Sequence, residues 1–308
     1  MQRTELVRRH LGFLLFALTS SLLFWGPLRS LVQFALAHDF DSHIFFVVPI
    51  SAYFMYRKRD EIFSNVRWGT APGVTLFLAG AILGLLAMFN QRFNTGDAYL
   101  WVSVLALVIL WISGFVFCYG LLAFRLARFP LLFLLLMIPI PDSIVGRVIA
   151  LLQQGSALVA FWLFKALQVP VMREGMVFHV PSLDLEVAKE CSGIRSSVIL
   201  LITTLVVAEF VLRSVWRKSV LVLSVIPIMI LKNGLRIVTI SLLTVYVSRS
   251  FLHSWLHQSG GIVFYILGLL VLLPILNLLK ISEMRGIEVP IGVAVRTVDR
   301  TPEGGSHV

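Results

Sequence analysis

Long apolar runs recur along this chain, at roughly 11–36, 43–56, 72–89, 98–124, 129–168, 191–212, 219–248 and 260–282. No other feature limits the fold as severely. Most of these runs are long enough to cross a hydrocarbon layer of ~30 Å as a helix. Inside that layer, only structures that satisfy their own backbone hydrogen bonds persist. A water-soluble globule is excluded, because 58% of the 308 residues are hydrophobic and 14% charged, whereas soluble domains carry about 25% charged residues. The sequence predicts an all-α, polytopic membrane helix bundle of about eight transmembrane helices. A cleavable leader does not account for the first run, since equally apolar runs follow as far as residue 282.

The formal charge of +10 invites a nucleic-acid reading until the cations are mapped. They gather in short gaps between apolar runs: Arg3, Arg8 and Arg9; Arg57, Lys58 and Arg59; Arg125 and Arg128; Arg213, Arg217 and Lys218. Nucleic acid is therefore not an expected partner; membrane lipids are. The positive-inside rule puts these gaps, and both termini, in the cytoplasm. The gaps at 38–43, 90–97, 169–190 and 248–258 are then extracytoplasmic, so Cys191 is expected to open a helix at the outer face. The path of residues 129–168 has two readings. Pro139 and Pro141 break it into a kinked crossing followed by an interfacial helix, or into a re-entrant pair. Alternation around Gly175 and the Pro181-Ser182 turn predicts a short extracytoplasmic β-hairpin before the cysteine helix. Residues 1–284 form one transmembrane domain, and 285–308 are expected to be a mobile polar cytoplasmic tail.

Two cysteines, Cys118 and Cys191, exclude a disulfide framework or a four-cysteine zinc site. Cys118 lies within an apolar run and reads as a small buried hydrophobe. Cys191 is different. It stands in "KECSGIRSS" (189–197), at the mouth of an apolar run, where a helix N-terminus, a cation or a histidine would activate the thiol. Arg236 in "KNGLRI" (232–237) and His257 in "HQSGG" (257–261) are further ionisable groups in outer halves of apolar runs, where such groups mark function. Arg195 would share the Cys191 face one turn away. The bland readings stand beside these: a structural cysteine, a snorkelling arginine and an interfacial histidine. His253 and His257 have metal-ligand spacing, but no carboxylate completes a zinc signature. His38, Asp41 and His43 are a second weak cation set. Neither a metal nor a cofactor is expected.

Taken together, these segments resemble the exosortase/archaeosortase family of membrane-embedded cysteine transpeptidases, over about residues 35 to 282. "DSHIFFVVPISAYFMYRKRDEI" (41–62), containing His43, resembles the family's amino-terminal Ser-His segment. Cys191-Ser192-Gly193-x-Arg195 resembles the cysteine motif, Asn233-x-x-Arg236 the arginine motif, and His257 with Gly261 and Phe264 the histidine motif. The resemblance implies Cys191 as nucleophile, with Arg236 and His257 completing a triad. Arg195, Asn233, Ser192, Gly193, His43 and Glu190 form the supporting or substrate-binding neighbourhood. Glu190 departs from the family's small residue there and receives no catalytic role. His253 leaves the choice of histidine open.

The resemblance further implies a bacterial cytoplasmic (inner) membrane enzyme with its site at the extracytoplasmic face. Its expected partners are exported proteins with a carboxyl-terminal sorting signal: a short Pro-Glu-Pro-like motif, a transmembrane helix and a basic tail. The acceptor is open between water, lipid-linked groups and glycans. The rival classes are a transporter or an assembly factor for exported polysaccharide, and a membrane enzyme acting on lipid or glycan. A single Pro-broken segment without a counterpart argues against the inverted repeats of transporters.

Overall fold

The computed structural model describes residues 2–38, 41–64, 66–89, 97–180, 183–186, 193–248 and 261–287. Eleven helices and three strands follow in chain order among these residues: α1 (Gln2–Leu23), α2 (Trp25–Ala37), α3 (Ile44–Arg57), α4 (Arg59–Ile62), α5 (Thr70–Phe89), α6 (Asp97–Leu126), α7 (Arg128–Phe133), α8 (Asp142–Ala166), β1 (Met172–Glu174), β2 (Val177–Val180), β3 (Leu183–Glu186), α9 (Ile194–Val211), α10 (Val215–Tyr246) and α11 (Gly261–Ile287). Seven of the helices (α1, α5, α6, α8, α9, α10 and α11) are long and apolar enough to cross a membrane. Two shorter apolar segments, α3 and residues 128–137, pack against each other. The polytopic helical bundle expected from the apolar runs is the architecture observed.

Two runs are divided. The first breaks at Phe24, and Pro27 sits in the first turn of α2, where its missing N–H leaves no bond unmade. The fifth breaks at Pro139 and Pro141. Residue 138 turns extended after a 3₁₀ turn over Leu134–Met137, as a residue preceding proline does. The chain after the break forms the 25-residue α8, of spanning length at ~1.5 Å per residue. Neither the interfacial helix nor the re-entrant pair is therefore needed for 142–166.

One core surrounds α6, where Val104, Ala106, Leu107, Val108 and Phe115 are each no more than 1% exposed. Cys118 lies in that core with Leu131 of α7 and Val47 of α3, which suits a small hydrophobe. A second core joins α9, α10 and α11 through Leu200, Leu221, Val225 and Leu272. In α10, Gly234 makes the approach of α8 feasible, since a Cβ there would lie 2.6 Å from Val159 Cγ1. Gly155 meets Ile230 and Val159 meets Gly234, so α8 and α10 run parallel. Their far ends, with Ala160, Phe164 and Ile237, support Phe178 and Val180 of β2.

The expected hairpin is extended to a three-stranded antiparallel sheet in the order β1-β2-β3. The β1–β2 turn uses Gly175 with φ +61. The Pro181-Ser182 turn and the polar tail beyond Ile287 lie outside the described residues.

Two of the basic gaps meet at one end of the bundle. Glu209, near the end of α9, accepts hydrogen bonds from Lys58 (2.6 Å) and Lys218. Glu283 of α11 accepts from the backbone N–H groups of Arg213 (3.0 Å) and Ser214 (2.7 Å). Residues 57–59 and 213–218 thus share a face, as the charge pattern requires.

Candidate functional site

The described part of the cysteine run opens at Gly193, and α9 starts at Ile194. Gly193 holds φ +64. A left-handed residue cannot extend the helix backwards, so Cys191 precedes α9. Only glycine fits this position comfortably: a Cβ on it would meet Asn233 Oδ1 at 2.8 Å. The Gly193 carbonyl accepts from the Ser197 backbone N–H and from Ser196 Oγ, each at 3.0 Å.

From α10, Lys232 Nζ donates to Ser196 Oγ at 2.6 Å. Its neighbour Asn233 donates through Nδ2 to Ser156 Oγ of α8 at 3.0 Å. Lys232, Asn233, Ser156 and Ser196 are all buried, at 3, 2, 0 and 7% exposure. From the start of α11, Gly261 faces Ser196, whose Cβ lies 3.9 Å from where a glycine Cβ would be. Thr203 and Tyr265 hydrogen-bond at 3.0 Å and tie α9 to α11 just below.

Gly193, Asn233 and Gly261, one residue from each of the three sequence motifs, therefore converge on one cluster. Lys232 lies 17 positions past the start of α10 at Val215, ~26 Å along the helix. That is close to a hydrocarbon thickness from the basic end. The cluster thus lies past the middle of α10, toward the opposite boundary of the bundle, with the helix continuing beyond it to Tyr246.

The other expected residues are placed as follows. Arg236 follows Lys232 by one turn of α10 and is half-buried. Phe264 is buried in α11. Arg195 is exposed, whereas Ser196 and Ser197 face the packed interior. His43 precedes α3 and its Nε2 lies 3.2 Å from the Leu136 carbonyl oxygen, on the α7 side. Asp41, two residues earlier, is 3% exposed. Burial pushes its carboxyl up to about 6, a rise that His43 and His38 oppose and Asp142 reinforces. Cys191, Ser192, Glu190, His253 and His257 lie outside the described residues. Among the described residues, no group of three or more His, Cys, Asp or Glu side chains is arranged to hold a metal.

Lys232, Ser196 and Ser156 are the cluster members that motif reading overlooks. One signal was available for Lys232: an ammonium inside a long apolar helix is costly and marks a functional place. Chemically, the cluster offers a glycine-shaped gap, a buried cation and a braced asparagine between three helices. Such a set can fix backbone carbonyls and N–H groups rigidly and favour negative charge nearby.

A protein-family model described as transmembrane exosortase matches residues 35–274. No curated protein and no solved structure matches the chain. The matched region covers well over half of the sequence and includes all three converging motifs whole. This integral membrane protein belongs to the transmembrane exosortase family.

Proposed function

We propose that the chain is a cysteine transpeptidase or protease of the exosortase type. It cleaves the carboxyl-terminal sorting signal of exported proteins at the extracytoplasmic face of the bacterial cytoplasmic membrane. The observation that carries this reading is the meeting of Gly193, Asn233 and Gly261 around Ser196 and Lys232. Cys191 stands two positions before Gly193, so the chain limits their Cα atoms to ~7 Å. His257 is four residues from Gly261, and Arg236 is three from Asn233 in the same helix.

In this reading the Cys191 thiolate attacks the carbonyl at the recognition motif, and Arg236 stabilises the oxyanion. The peptide C–N bond breaks as His257 gives a proton to the leaving amine, and a thioester on Cys191 results. An amine, a lipid-linked group or water then attacks the thioester, gives its proton to His257, and releases the thiolate. The substrate's own membrane helix would lie beside the bundle and present its motif at this boundary.

The test is co-expression with a protein bearing a Pro-Glu-Pro motif, a helix and a basic tail, followed by mass spectrometry of its carboxyl terminus. The native chain yields a shortened product, alone or joined to an acceptor. Cys191→Ala leaves full-length substrate in the membrane, and Cys118→Ala does not. Normal processing by Cys191→Ala overturns the proposal.

A further inference from the structure

At the end of α8 the structure carries a cleft unrelated to the cluster above. It holds about 490 Å³ and is lined by Leu158, Phe161, Trp162 and Lys165 of α8, and by Met172 and Arg173 at β1. That volume lies within the range of small-molecule sites, ~300–1,000 Å³.

The chemistry of its walls is unusual. The Lys165 ammonium sits 4.7 Å from the Phe161 ring centroid and 5.6 Å from that of Trp162. Arg173 donates from Nε to the Gly175 carbonyl at 2.9 Å and lies over the Phe178 ring at 5.9 Å. No carboxylate pairs with either cation among the described residues. The nearby acids are engaged elsewhere: Asp184 and Glu174 both turn to His179, at 2.7 and 3.9 Å. The strand register explains this. Arg173 pairs with Phe178 across β1–β2, while Met172 pairs with His179, and His179 with Asp184 on β3. Alternation puts the acids on the other face from Arg173.

Location narrows the ligand. Open sheet edges do not occur in hydrocarbon, so β1 lies outside it, while Leu158 and Trp162 are 51 and 60% exposed on a spanning helix. The cleft therefore straddles the boundary where tryptophan and headgroups meet. Two cations sit on its polar side and an apolar wall on its membrane side.

The geometry points to a binding site for an anionic glycerophospholipid: its phosphate sits between Lys165 and Arg173, and its acyl chains run down over Leu158 and Trp162. Ring faces hold the ammonium in place without neutralising it, which leaves its charge for the phosphate.

The experiment is native mass spectrometry of the detergent-purified full chain, titrated with phosphatidylglycerol, phosphatidylcholine of the same acyl chains, or soluble glycerol phosphate. Phosphatidylglycerol binds, and the double variant Lys165→Gln/Arg173→Gln weakens it roughly thirtyfold. Arg147→Gln, at the other end of α8, leaves binding unchanged, as does the charge-keeping pair Lys165→Arg/Arg173→Lys. Equal binding of the two phospholipids overturns the site, as does indifference to the double variant. So does a charge-keeping pair that folds with its usual thermal midpoint yet no longer prefers phosphatidylglycerol. Equal loss in Arg147→Gln reduces the effect to net charge and overturns it too. Tight binding of glycerol phosphate alone assigns the cleft to a soluble anion instead.

Discussion

Lys232 and Ser196 join α10 to α9 through a 2.6 Å hydrogen bond from ammonium to hydroxyl. The hydroxyl passes the constraint on by donating to the Gly193 carbonyl. This chain of two bonds ends two residues from Cys191. The ammonium is 3% exposed and feels the like charge of Arg236 one turn along α10. Among the described residues its hydrogen-bond partner is this neutral hydroxyl; burying an ammonium so costs free energy, and a nearby like charge adds to that. Lys232→Met keeps most of the side-chain volume and removes the charge. Its thermal midpoint in detergent should match or exceed that of the native chain, while substrate processing falls at least tenfold. A parallel loss of stability and processing would reduce Lys232 to a structural prop.

Gly193 tests the same junction from the backbone side. An alanine there must hold φ +64 and meet Asn233 Oδ1 at 2.8 Å. The conformation alone costs about 1–2 kcal/mol. Gly193→Ala should therefore lower the thermal midpoint by several degrees and abolish processing. Gly261→Ala meets only an ordinary 3.9 Å contact with Ser196, and its midpoint should move much less. Thermal denaturation of the two variants side by side checks the contrast.

Asp41 gives a pH dependence with a definite sign. Its carboxyl is raised to about 6 in the fold, from about 4 in an unfolded chain. Folding therefore favours the protonated form. The stability it contributes is fully present below about pH 4 and is lost as pH rises through about 6. Asp41→Asn should stabilise the chain at pH 7.5, by about 1–3 kcal/mol, and have no effect near pH 4. Denaturation midpoints at the two pH values decide it; an equal effect at both would contradict the assignment.

Glu209 closes the opposite end of the bundle, with its side chain 6% exposed and Lys58 and Lys218 as partners. Glu209→Gln leaves two partly buried ammonium groups facing a neutral amide. A loss of about 2–3 kcal/mol is expected, less than for a fully buried pair because both lysines retain water. The loss should change little between low and moderate salt, since the carboxylate itself is sheltered. A series of denaturation midpoints against ionic strength measures this.

Much of the architecture was legible because lipid imposes a length rule on apolar runs. The 30-residue α6 and the 32-residue α10 follow directly from it. The breaks were less legible. Phe24 interrupts a run with no proline at the junction itself, and β3 is only four residues long, too short for a period-2 pattern. Helix onset at Ile194 rather than Cys191 turned on one left-handed glycine, which apolarity does not report. In the site, Gly193, Asn233 and Gly261 were marked by motif spacing. Ser156 and Ser196 were not. Their partners lie 77 and 36 residues away, and a serine within an apolar run looks the same whether it bonds its own helix or another. Only the crossing of α8, α9 and α10 decides which.

The length of α10 carries one last consequence. After Asn233 the helix continues to Tyr246, ~20 Å further, with the end of α8 and the sheet braced against it. The cluster therefore sits in a recess below a rim, like a lock set into a door rather than on its surface. For the proposed peptidase reading, such a setting suits a slender strand entering between the helices better than a bulky folded body arriving over their ends.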